Sequence, residues 1–187
     1  DTKSFILIVV TGLSMLFISG VPWKYILGIG ITMVFVLGTL IFFTPYLQER
    51  IKTFIDPASD PQGSSYQIQQ SLIAFGSGKI FGRGFGQSIQ KFSYLPEPQG
   101  DFIFAVLGEE FGFVGISATI LLYLLFTLRG FRIANNSPDL FSRLLVSGIV
   151  ILIAVQSFMH IASTTGVFPL TGVPLPLMSH GGTSLLV

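Results

Sequence analysis

The chain has 187 residues, of which 50% are hydrophobic and 10% are charged, and its formal net charge is +1. An ordinary soluble domain has about 25% charged residues, so this composition is that of a membrane protein. The small net charge argues against a nucleic-acid partner. A chain without cysteine has no disulfide framework and no zinc site bound through sulfur.

Four stretches of the chain contain no aspartate, glutamate, lysine or arginine: residues 4–23, 25–48, 111–128 and 144–187. A helix needs about 20 apolar residues to cross the hydrocarbon core, so each stretch can span a membrane. Prolines and a glycine pair break the last stretch into a helix, a loop or re-entrant segment, and the start of another helix. We therefore predict an all-α, polytopic membrane protein with four complete transmembrane helices plus the start of a fifth, in one membrane domain over residues 1–187.

The charges between the apolar stretches predict which side of the membrane each loop faces. The short connection at residues 129–143 carries three arginines and one acid, and short loops rich in arginine and lysine face the cytoplasm. Alternation then makes residues 48–101 a large extracytoplasmic loop and places the proline-rich stretch 166–178 on the same side.

The predicted outer loop, residues 48–101, is longer than a simple connection requires, which is typical of functional segments. Aspartate and proline at positions 56–61 predict turns. Residues 65–75 carry apolar side chains with helical spacing, which predicts an amphipathic helix along the membrane interface. These apolar side chains are Tyr66, Ile68, Leu72, Ile73 and Phe75.

Five glycines follow within residues 76–86, and Lys79 and Arg83 stand among them. Glycine lets a backbone approach a ligand closely, and the two cations would favour a diphosphate. The alternative is that the glycines only allow tight bends. Both interpretations stay open at this point.

Three acidic residues lie near the start of the predicted membrane helix that includes the third apolar stretch. Asp101 directly precedes the apolar run 102–107 that opens this helix, and its spacing alone favours a helix N-cap. Glu109 and Glu110 lie one to two turns into the predicted helix, where a carboxylate is costly unless it is paired or faces a polar cavity. Their role is either chemical or structural, as a bond to a loop backbone or to a basic side chain such as Arg83 or Lys91.

The two histidines, His160 and His180, lie near the predicted outer end of the last helices. Histidine is a common metal ligand, but no third ligand with suitable spacing accompanies this pair. We therefore predict packing or hydrogen bonding for them.

Several motifs resemble one family of bacterial membrane proteins. They are DPxxDPxG at 56–63, YQxxQSLIA at 66–74, FGxGxGxSxQK at 81–91, LPExxxDFIFA at 95–105, EExG at 109–112 and PLTGVPLPLMSHGGxS at 169–184. Together they resemble the SEDS family, which comprises FtsW, RodA and SpoVE, and the 88–91 and 108–110 segments are most like FtsW. The resemblance implies that the chain is the C-terminal half of a larger polytopic protein. Gly100, His180 and Lys79 depart from the common pattern, which bears on subfamily and substrate variant more than on activity.

The resemblance also implies an activity and a site. The family's proteins are peptidoglycan glycosyltransferases, which extend glycan strands from lipid II at the outer face of the bacterial cytoplasmic membrane, in cell division or cell-shape maintenance. Asp101 falls at the position of the family's catalytic aspartate, so the resemblance favours catalysis over capping. Its role would be that of a general base or of a ligand to a divalent cation, Mg²⁺ or Mn²⁺. The predicted substrate-binding residues are Glu97, Lys91, Arg83, Gln70, Ser179, Gly181 and Gly182.

The implied partners are lipid II, a class B penicillin-binding protein that acts as a transpeptidase, other divisome or elongasome membrane proteins, and membrane lipids.

Two other functions compete with the enzyme. A lipid II flippase or transporter would also use buried acids and proline-broken helices. A non-catalytic scaffold for a transpeptidase would not need Asp101 for strand synthesis.

Overall fold

A computed structural model describes the backbone of residues 2–56, 64–93, 98 and 100–180. Within these residues the chain forms seven α-helices and no strand, so the predicted all-α class is confirmed. The helices are α1 (Thr2–Ile18), α2 (Trp23–Phe43), α3 (Pro45–Ile55), α4 (Ser64–Gly78), α5 (Gln90–Ser93), α6 (Ile103–Asn135) and α7 (Leu140–Thr164).

Three described helices are long and apolar enough to cross a membrane: α2 with 21 residues, α6 with 33 and α7 with 25. Helix α1 is also apolar but has 17 residues, somewhat fewer than the usual span of about 20. No residue of α2 is buried within this chain, so its apolar surface needs a nonpolar surrounding. The chain is an integral membrane protein, and the predicted count of four complete spans is approximate. The predicted start of a fifth helix lies outside the described residues.

The chain divides into two compact units, and α6 and α7 each contribute to both. The first unit comprises Asp1–Gln48 and Tyr123–Val155. In it, α1 packs against α2, and a Cβ added at Gly130 of α6 would lie 2.3 Å from Val150 of α7. A small residue at this contact lets two membrane helices approach closely.

Helix α7 begins in the first unit with an N-cap at Asp139. The carboxylate accepts hydrogen bonds of 2.8 Å from the backbone N–H and from the hydroxyl of Ser142. These bonds stabilise the charged form and hold the pKa of Asp139 below its usual value. The cap fixes where the connection at 136–139 ends and the helix starts.

The second unit comprises Glu49–Leu122 and Gln156–Val187, and it contains α4. The predicted helix over 65–75 is confirmed, but small residues form its covered side. Ser71 is fully buried and its hydroxyl donates to the Thr164 carbonyl over 2.7 Å, while Leu72 and Ile73 are about half exposed in this chain. A Cβ at Gly78 would lie 2.0 Å from the Gly108 carbonyl oxygen, so α4 approaches α6 at backbone distance.

Helix α6 is interrupted at Gly112, whose φ is 65° and ψ is −161°. A regular helix would bond residues 113 and 114 to the carbonyls four residues earlier. Here those donors and acceptors bond instead to the segment 79–84, which inserts beside the interruption. Four backbone hydrogen bonds of 2.9–3.1 Å result: Phe113 and Val114 donate to Lys79 and Ile80, and Arg83 and Gly84 donate to Glu109 and Glu110.

The glycines of this region make the insertion sterically possible. A Cβ at Gly82 would lie 2.1 Å from the Glu110 carbonyl oxygen, and one at Gly112 would lie 2.3 Å from the backbone nitrogen of Gly82. Both glycines have positive φ, which other residues rarely adopt. The close backbone approach that these two glycines permit is therefore an approach to α6.

Candidate functional site

Glu109 lies in the short part of α6 before the interruption and is 1% exposed. Its carboxylate accepts a hydrogen bond of 2.6 Å from the Ser88 hydroxyl and bonds of 3.2 Å from the backbone N–H groups of Ile89 and Gln90. The Arg83 guanidinium lies 3.4 Å away and balances the charge. Glu109 thus binds both a loop backbone and a basic side chain.

Glu110 is 5% exposed and lies near Lys91, whose Nζ is 3.6 Å from Oε1. Among the described residues, this Oε1 atom is buried and accepts no hydrogen bond. The pair is therefore held by charge and not by a hydrogen bond of normal length.

Lys91 and Glu110 face a pocket of about 290 Å³ at the start of α6. A pocket of this size is at the lower end of the range for small-molecule sites. Its lining combines these two charged side chains and one histidine with apolar side chains: Phe85, Lys91, Pro98, Ile103, Val106, Glu110, Met178 and His180. An amphiphilic anion would find both a cation and apolar surface here.

Asp101 lies in the turn before α6, between Pro98 and Ile103, which both line this pocket, and it is partly exposed. Among the described residues, no helix N–H donates to its carboxylate, so the capping role predicted from spacing has no hydrogen bond to support it. The adjacent carbonyl of Gly100 accepts a bond of 2.8 Å from the Ser179 hydroxyl. Asp101 is therefore tied to the proline-rich segment through its neighbour.

The proline-rich segment 166–180 is held by side chains from two helices. Gln156 of α7 donates to the Pro174 carbonyl over 3.0 Å, and His160 Nδ1 lies 2.7 Å from the Val173 carbonyl oxygen. Arg50 of α3 donates to the Leu170 carbonyl. These contacts bring the start of the 48–101 segment and the 166–180 segment together.

The structure brings some predicted site residues together and leaves others apart or undescribed. Arg83, Lys91, Glu109 and Glu110 form two neighbouring charge pairs, and Ser179 is buried beside Gly100. Gln70 is partly buried on α4. Glu97, Gly181 and Gly182 lie outside the described residues. In the described ranges no three histidine, aspartate or glutamate side chains cluster as metal ligands.

Several structurally important side chains were not predicted from the sequence, including Ser88, Arg50 and Gln156. Ser88 carried a usable signal, because its hydroxyl accepts a bond of 3.1 Å from the Lys91 backbone N–H. A serine three residues before this N–H and ahead of α5 is a typical helix cap. Arg50 and Gln156 bond to carbonyls that are distant in sequence, and no local pattern indicates such partners.

The fold and the site define a polytopic helical membrane protein with a charged pocket beside the start of a membrane helix. The chain belongs to the FtsW/RodA/SpoVE family of cell cycle proteins, whose family model matches residues 1–187. The predicted family is thus confirmed.

Three curated relatives are similar to the chain along most of its length. It is 44% identical over 175 residues to Stage V sporulation protein E of Bacillus subtilis (strain 168), covering 94% of this chain and 48% of the relative. It is 43% identical over 188 residues to the probable peptidoglycan glycosyltransferase FtsW of Neisseria gonorrhoeae (strain NCCP11945), covering 99% and 41%. It is 40% identical over 191 residues to the peptidoglycan glycosyltransferase MrdB of Escherichia coli (strain K12), covering 100% and 51%.

The chain therefore spans about half the length of the curated relatives it matches. The chain also matches a solved structure with a TM-score of 0.74 at 29% identity. The description of that structure is "Structural coordination of polymerization and crosslinking by a peptidoglycan synthase complex". That match covers 100% of this chain and 52% of the other chain. The relatives named SpoVE, FtsW and MrdB have comparable identity to the chain, at 44%, 43% and 40%. The closer resemblance to FtsW therefore stays a prediction.

Proposed function

We propose that the whole protein is a peptidoglycan glycosyltransferase that extends glycan strands from lipid II. The observation that carries the proposal is the pocket at the start of α6, where Lys91 and Glu110 lie 3.6 Å apart and Asp101 falls between two lining residues. Lipid II combines a diphosphate with a polyprenyl chain, and this pocket combines a cation with apolar side chains. Relatives named peptidoglycan glycosyltransferases support the same activity.

In the proposed reaction Asp101 is the general base. The 4-hydroxyl oxygen of the acceptor sugar attacks the anomeric carbon of the donor sugar and forms the new glycosidic bond. The bond from that carbon to the diphosphate oxygen breaks, and the polyprenyl diphosphate leaves with the electron pair. The hydroxyl proton passes to the Asp101 carboxylate, which is free of hydrogen bonds from the described residues and partly exposed.

Lys91 is the better candidate of the two predicted cations to neutralise the leaving diphosphate. Arg83 lies 3.4 Å from the buried carboxylate of Glu109, which also binds the loop backbone. The Lys91 side chain lines the pocket, and its ammonium lies 3.6 Å from the Glu110 carboxylate. An ammonium group so placed can approach a phosphate oxygen.

A divalent cation, Mg²⁺ or Mn²⁺, is the alternative partner for Asp101. Such cations prefer oxygen ligands and bind through one or two carboxylates plus substrate phosphates. Asp101 could supply one ligand, and the described residues bring no cluster of three to this position. Polymerisation that survives extensive EDTA treatment would favour the general base over the cation ligand.

We also infer a location and a partner for the whole protein. We place it in the bacterial cytoplasmic membrane with residues 48–101 extracytoplasmic and residues 129–143 cytoplasmic. The bonds from Arg50 to Leu170 and from Ser179 to Gly100 support a common side for the 48–101 and 166–180 segments. A class B penicillin-binding protein is the proposed partner, supported by the similar structure of a complex that coordinates polymerization and crosslinking.

The test is polymerisation of lipid II by the whole protein, purified with its cognate transpeptidase. We compare the parent with Asp101→Ala and Asp101→Asn, and use Asp139→Asn as the control, because asparagine also caps helices and Asp139 lies far along the chain from the pocket. We expect glycan strands from the parent and the control, and at least about a hundredfold less from the two folded Asp101 variants. Equal polymerisation by all four proteins would refute the proposal and direct attention to lipid II transport or scaffolding.

A further inference from the structure

His160 is a buried side chain to which the proposed reaction assigns no role. It is 0% exposed and lies on α7, four residues after Gln156. One helical turn separates the two, so both side chains emerge on the same face of the helix. That face meets the proline-rich segment 166–180 through the Val173 and Pro174 carbonyls.

The contact to Val173 defines how the imidazole is protonated. A carbonyl oxygen can only accept a hydrogen bond, so the nitrogen 2.7 Å from it, Nδ1, is the donor. The other nitrogen, Nε2, is buried and has no hydrogen-bond partner among the described residues. The bond to the Val173 carbonyl is thus the single hydrogen bond found for this side chain in the part of the chain that the structure describes.

A chain of contacts links this bond to Asp101. The segment that begins at Val173 continues to Ser179, whose hydroxyl accepts from the Leu175 backbone N–H over 2.7 Å. The same hydroxyl donates to the carbonyl of Gly100 over 2.8 Å, next to Asp101.

We propose that His160 is a positioning residue for Asp101. Its Nδ1–H holds the 173–179 turn against α7, and that turn holds Gly100 through Ser179 and so fixes the carboxylate that follows. This inference rests on the proposed function, since it assumes that the location of Asp101 matters for strand extension.

Two variants separate the hydrogen bond from the bulk of the side chain. In His160→Asn the side-chain amide nitrogen is bonded to Cγ, as Nδ1 is in histidine. It can therefore donate to the same carbonyl. In His160→Leu the volume is similar but no donor remains. Ser179→Ala removes a later link of the same chain of contacts and tests the inference even if His160→Leu does not fold.

The first measurement reports the location of residue 101 without depending on activity. The described chain has no cysteine, so Asp101→Cys introduces one reactive thiol once any cysteines elsewhere in the whole protein are replaced. We measure its rate of maleimide labelling in proteoliposomes. The rate should stay unchanged with His160→Asn and change severalfold with His160→Leu and with Ser179→Ala.

The second measurement is polymerisation with Asp101 intact. We expect His160→Leu to lower kcat about tenfold or more with little change in KM for lipid II, and His160→Asn to restore kcat. Unchanged labelling and unchanged kcat in His160→Leu and Ser179→Ala would overturn the inference. Equal impairment of His160→Asn and His160→Leu would overturn it as well. Altered labelling with unchanged kcat would instead refute the proposed role of Asp101, while the series of contacts from His160 to Gly100 would still be supported.

Discussion

Glu109 shows how the chain accommodates a carboxylate within an apolar helix. Burying a charge is costly unless every site on it is satisfied, and Glu109 has a hydroxyl, two backbone N–H groups and a guanidinium as partners. All of these partners come from residues 83–90. The acid therefore fastens that segment to α6, which accounts for its position without assigning it chemistry.

Replacement of Glu109 by glutamine should destabilise the protein. The amide would set an NH₂ donor against the backbone N–H groups of Ile89 or Gln90, and Arg83 would lose its counter-charge. We expect a cost of about 1–3 kcal/mol for the unmatched buried groups, seen as a lower Tm of the purified protein in detergent. Glu49→Gln is the control, because Glu49 is exposed on α3; equal Tm values for the two variants would contradict the role given to Glu109.

The role of Lys91 can be separated from its pairing with Glu110 by a double variant. Lys91→Gln alone leaves Glu110 buried and unpaired, so it should lower both Tm and polymerisation. The double variant Lys91→Gln/Glu110→Gln removes both charges and should recover Tm. We expect polymerisation to stay about tenfold or more below the parent, because the diphosphate still lacks its cation.

The double variant also shows what would contradict the assignment. If Lys91 only balances Glu110, the double variant should recover polymerisation together with Tm. Lys91→Arg is the matched control, since it keeps a cation in the lining of the pocket. Activity in the arginine variant but not in the double variant would indicate that charge is the property required.

Sequence reasoning identified the charged residues of the site better than it identified their partners. The buried acids and the candidate cations stood out because charge is rare in this chain. The bond from Ser179 to Gly100 joins residues 79 positions apart. No periodicity or motif within either segment specifies such a contact, because it depends on how α6, α7 and the proline-rich segment pack.

At the scale of the elements, the insertion of residues 79–84 beside α6 is the feature that sequence periodicity could not predict. The apolar run through residue 128 reads as a continuous helix, whereas the structure exchanges two helical hydrogen bonds for four bonds to another segment. The glycines at 82 and 112 indicated special backbone geometry but not the segment they would meet. Likewise, the period of α4 predicted a helix, while the close contact at Gly78 explains why its small residues are the ones covered.

Gly82→Ala should disrupt this insertion, and Gly86→Ala provides a matched control. Both glycines have positive φ, at 79° and 77°, so both substitutions carry a backbone cost of about 1–2 kcal/mol. Only at position 82 would the new Cβ collide with another backbone, 2.1 Å from the Glu110 oxygen, whereas nothing lies within 4 Å at Gly86.

The comparison is read from hydrogen exchange and thermal stability. In Gly82→Ala, the amides of Phe113 and Val114 should lose protection and Tm should fall further than in Gly86→Ala. Similar protection and similar Tm in the two variants would mean that the backbone contact between the 79–84 segment and α6 is not maintained in the membrane.

At the scale of the whole molecule, the apolar surfaces left open by this chain indicate which parts need further cover. Phe81 and Phe85 are 81% and 82% exposed, and Leu72 and Ile73 of α4 are about half exposed. All four belong to the second unit, which also carries the pocket. The similar solved chain is about twice as long as this one, since the match covers 52% of it. We expect further segments of the whole protein to cover these surfaces.

We therefore expect residues 1–187 alone to lack polymerase activity even when they are inserted in a membrane. Phe85 lines the pocket and is largely exposed, so we expect this part alone not to orient both a donor and an acceptor sugar, and orientation supplies a large share of the rate of such a reaction. Co-expression with the remaining part of the whole protein as a separate chain should restore strand synthesis, measured with lipid II and the cognate transpeptidase. Asp101→Ala in the 1–187 part is the control and should abolish the restored activity. Strand synthesis by residues 1–187 alone would show that the described pocket is already complete and would assign the missing part a role other than substrate orientation.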